Sequence, residues 1–201
     1  MTSPGLDRSV SISARAAFLG HRGGVVWLTG LPGSGKSTLA SGLEQRLFAA
    51  RVLSVVIDGD ILRTGLCIGL GYSNEDRKEN IRRAGESALL LAEAGAVAVV
   101  ALISPFREDR ARIAARTRAL GFRFVEVYVN APLAECERRD PKSLYKKARA
   151  GMISAFTGID SPYEAPTEPD LELQTDRESP EQSLEKLTAA TLTVFRPTAG
   201  T

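Results

Sequence analysis

A chain of 201 residues, 43% hydrophobic and 25% charged, can bury a sizeable core and reads as one compact globular domain. Its net charge of +2 gives no bulk electrostatic reason to expect nucleic acid or a membrane surface as a partner. Cys67 and Cys136 have no metal or redox spacing and the single His offers zinc little, so a reduced, cytoplasmic setting fits.

Residues 1–20 carry Arg8, Arg15, several Ser and one acid, a composition faintly like a transit peptide. The simpler reading is a flexible segment leading into a short helix near Arg15–Leu19, ahead of a single domain over 21–196. No signal-peptide pattern opens the chain. Val25–Thr29 is an apolar run that reads as a buried strand, and Gly30–Ser37 follows as Gly-Leu-Pro-Gly-Ser-Gly-Lys-Ser. In such a loop the glycines let backbone N–H groups close around a triphosphate, Lys36 reaches the outer phosphates and the Ser37 hydroxyl can hold Mg²⁺. A helix from Ser37 to about Ala50 would add its N-terminal dipole.

Val52–Ile57 reads as a second strand ending at Asp58-Gly59-Asp60, two carboxylates able to steer Mg²⁺ water and an acceptor hydroxyl. Ser37 and Asp58 are therefore the candidate metal residues, and a plain polar turn is the alternative for 58–60. Asp76–Ala94 has helical apolar spacing. At its start Arg77 and Asn80 share a face, with Arg63, Arg82 and Arg83 close in sequence. Phosphate or sulfate binding and a solvated helix start paired to Glu75, Asp76 and Glu79 are equally open on spacing alone.

Ala96–Ile103 reads as a third strand closed by Ser104-Pro105, Arg107–Leu120 as a helix, Phe122–Val129 as a fourth strand, Leu171–Gln174 as a fifth and Glu181–Phe195 as the last helix. The most apolar stretch is far too short to span a bilayer. Segment 137–170, poor in apolar residues, reads as a surface flap whose cations Arg138, Arg139, Lys142, Lys146, Lys147 and Arg149 could close over a transferring phosphate. Tyr72 and Phe156 lie outside the apolar periodicity and suit either base stacking or core. Strands separated by helices predict an α/β fold: three layers of the P-loop kinase type, with a mainly parallel five-stranded sheet and a mobile basic lid. The clusters 30–37, 58–60 and 103–104 each follow a strand and should converge at the carboxyl ends of the sheet.

The motif set resembles the adenylylsulfate kinases over about residues 17–195. The loop is shared with many families; Leu144-Tyr-Lys-Lys-Ala-Arg149 with Phe156-Thr-Gly-Ile-Asp160 is specific, and Asp76-Arg-Lys-Glu-Asn-Ile-Arg-Arg83 and Ile103-Ser-Pro105 match as well. The resemblance implies transfer of the γ-phosphate of ATP to the 3′-hydroxyl of adenosine 5′-phosphosulfate (APS), with Mg²⁺. By position, Gly33, Ser34, Gly35, Lys36, Ser37 and Thr38 would hold ATP. Asp60 would orient the 3′-hydroxyl and Lys36, Asp60 and Ser104 would form the catalytic set. Arg63, Arg77 and Asn80 would hold the phosphosulfate and ribose, Tyr72 and Phe156 would flank adenine, and Ile103, Ser104 and Lys142 would complete the acceptor pocket. The family also implies a homodimer, and 201 residues leave a sulfate adenylyltransferase only as a separate partner.

Departures from the family pattern fall on the acceptor side. An Asn after Asp-Gly-Asp is Ile61, His-Gly-Leu-Asn is Thr64-Gly-Leu-Cys67, and a Phe is Tyr72. A Gly before Leu-Tyr is Ser143, and Lys-Gly before Phe is Ser154-Ala155. They motivate a rival, a related kinase for another nucleotide or small alcohol. A second rival is a P-loop binding module without an acceptor; no Asn-Lys-x-Asp guanine signature supports a GTP switch.

Overall fold

The computed structural model describes residues 10–196, so the first nine residues of the flexible segment expected over 1–20 lie outside the described residues. Helix α1 (Ile12–Leu19) occupies the region read as a short helix; Ser11 caps it by accepting from the Ala14 N–H, and Gly20 ends it in the left-handed region.

Strand β1 (Gly24–Thr29) is buried at every position. It pairs in parallel with β3 (Val97–Ala101) on one side and β4 (Arg123–Asn130) on the other. A strand covered on both faces has no solvent side, which explains its unbroken apolar run. β2 (Ser54–Asp58) joins β3, and β5 (Leu171–Gln174) joins β4, giving the order β2-β3-β1-β4-β5. All four pairings are parallel, so the sheet is wholly rather than mainly parallel.

Alternate residues of β1 face two separate cores. Val26 and Leu28 pack with Leu43 and Leu47 of α2 (Lys36–Ala49) and with Leu187 and Phe195 of α8 (Pro180–Phe195). Val25 and Trp27 pack with Ile81, Ala84 and Ala88 of α4 (Asn74–Ala94) and with Ile113 of α5 (Arg107–Ala119). These are the three layers expected. α4 starts two residues before its apolar pattern does, because Ser73 caps it by accepting from the Asp76 N–H. Its buried stripe runs Arg77, Asn80, Ile81, Ala84, Gly85, Ala88, Leu89, Ala92. That is one helical face whose first two members are polar, which brings Arg77 and Asn80 to the carboxyl end of the sheet.

Three short helices complete the fold: α3 (Gly59–Arg63), α6 (Leu133–Arg139) and α7 (Leu144–Arg149). The segment expected as a surface flap over 137–170 has packing of its own: Cys136, Tyr145, Ala148 and Phe156 are buried together and pack with Leu31, Leu133 and Ile153. This satellite core fixes the segment against the loop that follows β1.

Candidate active site

The turn from β1 into α2 can close only around glycine. A Cβ at Gly30 would collide with the Val129 carbonyl, and Gly33 and Gly35 have φ of 77° and 105°. Lys36, the first residue of α2, is buried, and its Nζ donates to the carbonyls of Gly30 at 2.9 Å and Leu31 at 2.7 Å. Burial lowers its pKa to about 8, against the raising influence of Cys136, Asp58 and Asp60. The exposed Ser37 hydroxyl donates to Asp58 Oδ2 at 2.6 Å, and Asp58 Oδ1 accepts from the Asp60 N–H at 2.9 Å, starting α3. Asp60 itself forms an ion pair with Lys142, which raises the lysine pKa.

Among the described residues no cluster of three His, Cys, Asp or Glu forms a closed metal cage. One hydroxyl beside one carboxylate at the mouth of a phosphate loop is nevertheless the donor set Mg²⁺ takes, since it draws its remaining ligands from phosphates and water. The residues fit the ion.

A cavity of about 1350 Å³ joins this loop to the acceptor side, ample for two nucleotides. Asp60, Arg63, Tyr72, Arg77, Asn80, Ile103, Ser104, Lys142 and Phe156 all line it, together with Gly33–Thr38 and Asp58. Arg77 is 8% exposed and donates to the Tyr72 carbonyl at 2.9 Å, Thr157 Oγ1 at 3.0 Å and the Ala155 carbonyl at 2.7 Å. Burial, then the neighbouring Arg63, lowers its pKa. Arg63 donates to the carbonyls of Leu70 and Gly71 and lies 4.3 Å from the Tyr72 ring centroid. Asn80 is buried and its Nδ2 has no partner. A buried donor left unmet is uncommon and points to a ligand atom.

Arg82 and Arg83 follow the other reading, since both donate to Glu79 on their own helix. The two aromatics also differ. Tyr72 is exposed, whereas Phe156 is buried with its edge against Tyr145, centroids 4.9 Å apart. Ser104 has φ of 40° and its buried hydroxyl accepts from Trp27 Nε1 at 3.0 Å while donating to the Leu102 carbonyl at 3.4 Å. Of the flap cations, Arg138, Arg139 and Lys142 line the cavity.

Two departures, Ile61 and Cys67, lie off the wall: the first is exposed and the second fully buried. Ser154 and Ala155 are on it. The opposite end of the cavity, formed by Thr175, Glu178, Pro180 and Ser183 with Arg139, went unread. Arg139 donates to the Thr175 carbonyl at 2.6 Å. The available signal was position, since Thr175 follows the carboxyl end of β5.

Comparison with known proteins agrees with this geometry. The sequence model of the adenylylsulphate kinase family matches residues 22–174. The chain is 51% identical over 180 residues to the adenylyl-sulfate kinase of Pseudomonas aeruginosa, covering 90% of this chain and 91% of that one. It is 54% identical over 164 residues to the adenylyl-sulfate kinase of an Enterobacter species, covering 82% and 81%. Among solved structures it resembles the Mycobacterium tuberculosis APS kinase in complex with AMPPNP and APS, with a TM-score of 0.78 and 51% identity over 83% of this chain and 96% of that chain.

Proposed function

The chain belongs to the adenylylsulfate kinase family, and from that premise we propose that it transfers the γ-phosphate of ATP to the 3′-hydroxyl of APS, giving 3′-phosphoadenosine 5′-phosphosulfate. The observation that carries the reading is one cavity uniting a phosphate loop with an acidic residue, two arginines and the unmet amide donor of Asn80.

In the reaction a bond forms between the 3′-oxygen and the γ-phosphorus as the β,γ-bridging bond breaks, and ADP leaves. Such transfer depends on positioning and charge neutralisation more than on a strong base. Gly33–Thr38 hold the ATP phosphates, and Lys36 exchanges the Gly30 and Leu31 carbonyls for the outer phosphates. Ser37 and Asp58 would hold Mg²⁺, which when bound offsets phosphate charge. Asp60 orients the 3′-hydroxyl and accepts its proton once Lys142 has turned to the acceptor. Arg63, Arg77 and Asn80 hold the phosphosulfate and ribose, with Tyr72 and Phe156 beside the acceptor adenine and Thr175, Glu178 and Pro180 beside that of ATP. Ser104, expected in the catalytic set, we read as a positioning residue that shapes the wall with Ile103, because its hydroxyl is occupied by Trp27 and Leu102. The segment carrying α6 and α7 acts as a lid that excludes water from the transferring group.

Residues 21–196 form the catalytic domain in this reading, working as a homodimer in the cytoplasm beside a separate sulfate adenylyltransferase. Among the described residues no helix is long and apolar enough to cross a membrane. The test is a coupled ADP assay over APS and a panel of adenosine and cytidine nucleotides. APS should be the preferred acceptor, and Arg77→Ala should weaken its binding by about tenfold or more, the loss expected for a charged hydrogen-bonding group. Preference for another acceptor, or an unchanged APS dissociation constant in Arg77→Ala, rejects the assignment.

A further inference from the structure

Behind the acceptor wall, and not itself lining the cavity, lies a fully enclosed guanidinium. Arg110, on α5, is 2% exposed. Each of its nitrogens serves a different part of the fold. Nε donates to Glu126 Oε1 of β4 at 2.7 Å, Nη1 to the Ser104 carbonyl at 2.7 Å and Nη2 to the Glu164 carbonyl at 2.8 Å. The 103–105 wall is also tied directly to the chain that continues from the cavity-lining stretch ending at Thr157, by the Glu164 N–H to the Pro105 carbonyl at 2.8 Å. Tyr163 meets Thr29 at 3.0 Å, and Thr29 in turn donates to the Ile103 carbonyl at 2.7 Å.

We propose that Arg110 is a positioning residue for phosphoryl transfer to APS: it locks the 103–105 wall to the segment that carries Phe156 and Thr157, and anchors both to β4. The inference rests on the function proposed above. Ser104 sits in the left-handed region, which a serine holds only under constraint. Trp27 constrains its side chain and Arg110 its carbonyl, so the backbone is held from two sides. Thr157, two residues beyond Ala155, accepts from Arg77, so the second wall also presents the acceptor-binding arginine. The planar fork matters: five N–H donors in fixed geometry can reach three acceptors at once, and an ammonium cannot span them. The guanidinium itself donates to no residue of the phosphate loop, which predicts that its loss is felt mainly at the acceptor end of the cavity.

The test compares wild type, Arg110→Lys and Glu126→Gln by titration with APS and, separately, with AMPPNP, and by amide hydrogen exchange. Arg110→Lys keeps the charge but not the fork. Its APS dissociation constant should rise about tenfold, the scale expected when a positioned group shifts by a fraction of an ångström. AMPPNP affinity should stay within about twofold, and exchange should quicken at 103–106 and 156–165 but not at 30–38. Glu126→Gln, which keeps an acceptor for Nε, should show the same pattern at smaller amplitude; it decides the matter should Arg110→Lys not fold. An unchanged APS affinity, a parallel loss of APS and AMPPNP affinity, or exchange quickened equally in the phosphate loop overturns the proposal. A wild-type protein that binds AMPPNP but not APS instead rejects the substrate assignment, and the exchange pattern still judges Arg110.

Discussion

The side-chain amide of Asn80 is 4% exposed and its nitrogen has no partner. An unmet buried donor costs about 1–3 kcal/mol, a cost that the proposed contact with APS would offset. Asn80→Leu, similar in volume and apolar, should raise the denaturation midpoint by the equivalent of about 1 kcal/mol while APS binding is lost. A variant neither stabilised nor impaired in binding contradicts that role. Ala155 and Ser143 hold φ of 55° and 53°, at two positions where the family pattern has glycine. An L-residue there costs roughly 1–2 kcal/mol, against about 0.5–1 kcal/mol for the entropy of glycine. Ala155→Gly should therefore stabilise by up to about 1 kcal/mol, measured by thermal or urea unfolding. Lys36 supplies a pH signature. With its free-state pKa lowered to about 8, and phosphate binding requiring the ammonium, AMPPNP affinity should be flat below pH 8. Above pH 8 it should weaken by up to about tenfold per unit. Lys36→Met should bind weakly at every pH; a flat wild-type profile to pH 9.5 contradicts the burial argument.

Secondary elements were legible in proportion to length. β1, α2 and α8 stand close to where apolar runs and periodicity put them, because each repeats its pattern over a whole face. α3, α6 and α7 have five, seven and six residues, too few for a period to register. α3 depends on one local contact, the Asp58 carboxylate on the Asp60 N–H, which in sequence looks like any polar turn. The arginine cluster shows the same limit. Spacing put Arg77 and Asn80 on one face but left phosphate binding and a solvated, ion-paired helix start equally open; the structure divides the arginines, Arg77 into the cavity and Arg82 and Arg83 onto Glu79. The cap of α4 holds its first turn, which carries Arg77. Ser73→Ala should cost about 1 kcal/mol in urea unfolding, with AMPPNP affinity unchanged because the phosphate loop lies on another element. A cost below about 0.3 kcal/mol would mean that tertiary packing alone holds the first turn.

At the scale of the whole molecule, parallel strands bring their carboxyl ends to one edge, and the cavity collects residues from Pro32 to Ser183 along it. The phosphate and acceptor ends could be read because motifs mark them. The end at Thr175 and Glu178 could not, since it depends on β5 docking beside β4 and on Arg139 reaching across from α6. Phe156 is both core and wall: it is buried in the satellite core and also lines the cavity, so packing of the 137–170 segment and the shape of the cavity share a residue. The central claim is that one cavity joins two nucleotides for direct transfer. Its most direct test is ADP release from ATP and Mg²⁺ with and without APS, with the product identified by mass. The account predicts APS-dependent release, a product heavier than APS by one phosphoryl group, and a loss of about 10²-fold or more in both Lys36→Ala and Asp60→Ala with the fold intact. ADP release at the same rate without APS, or no phosphorylated product of APS, would contradict it.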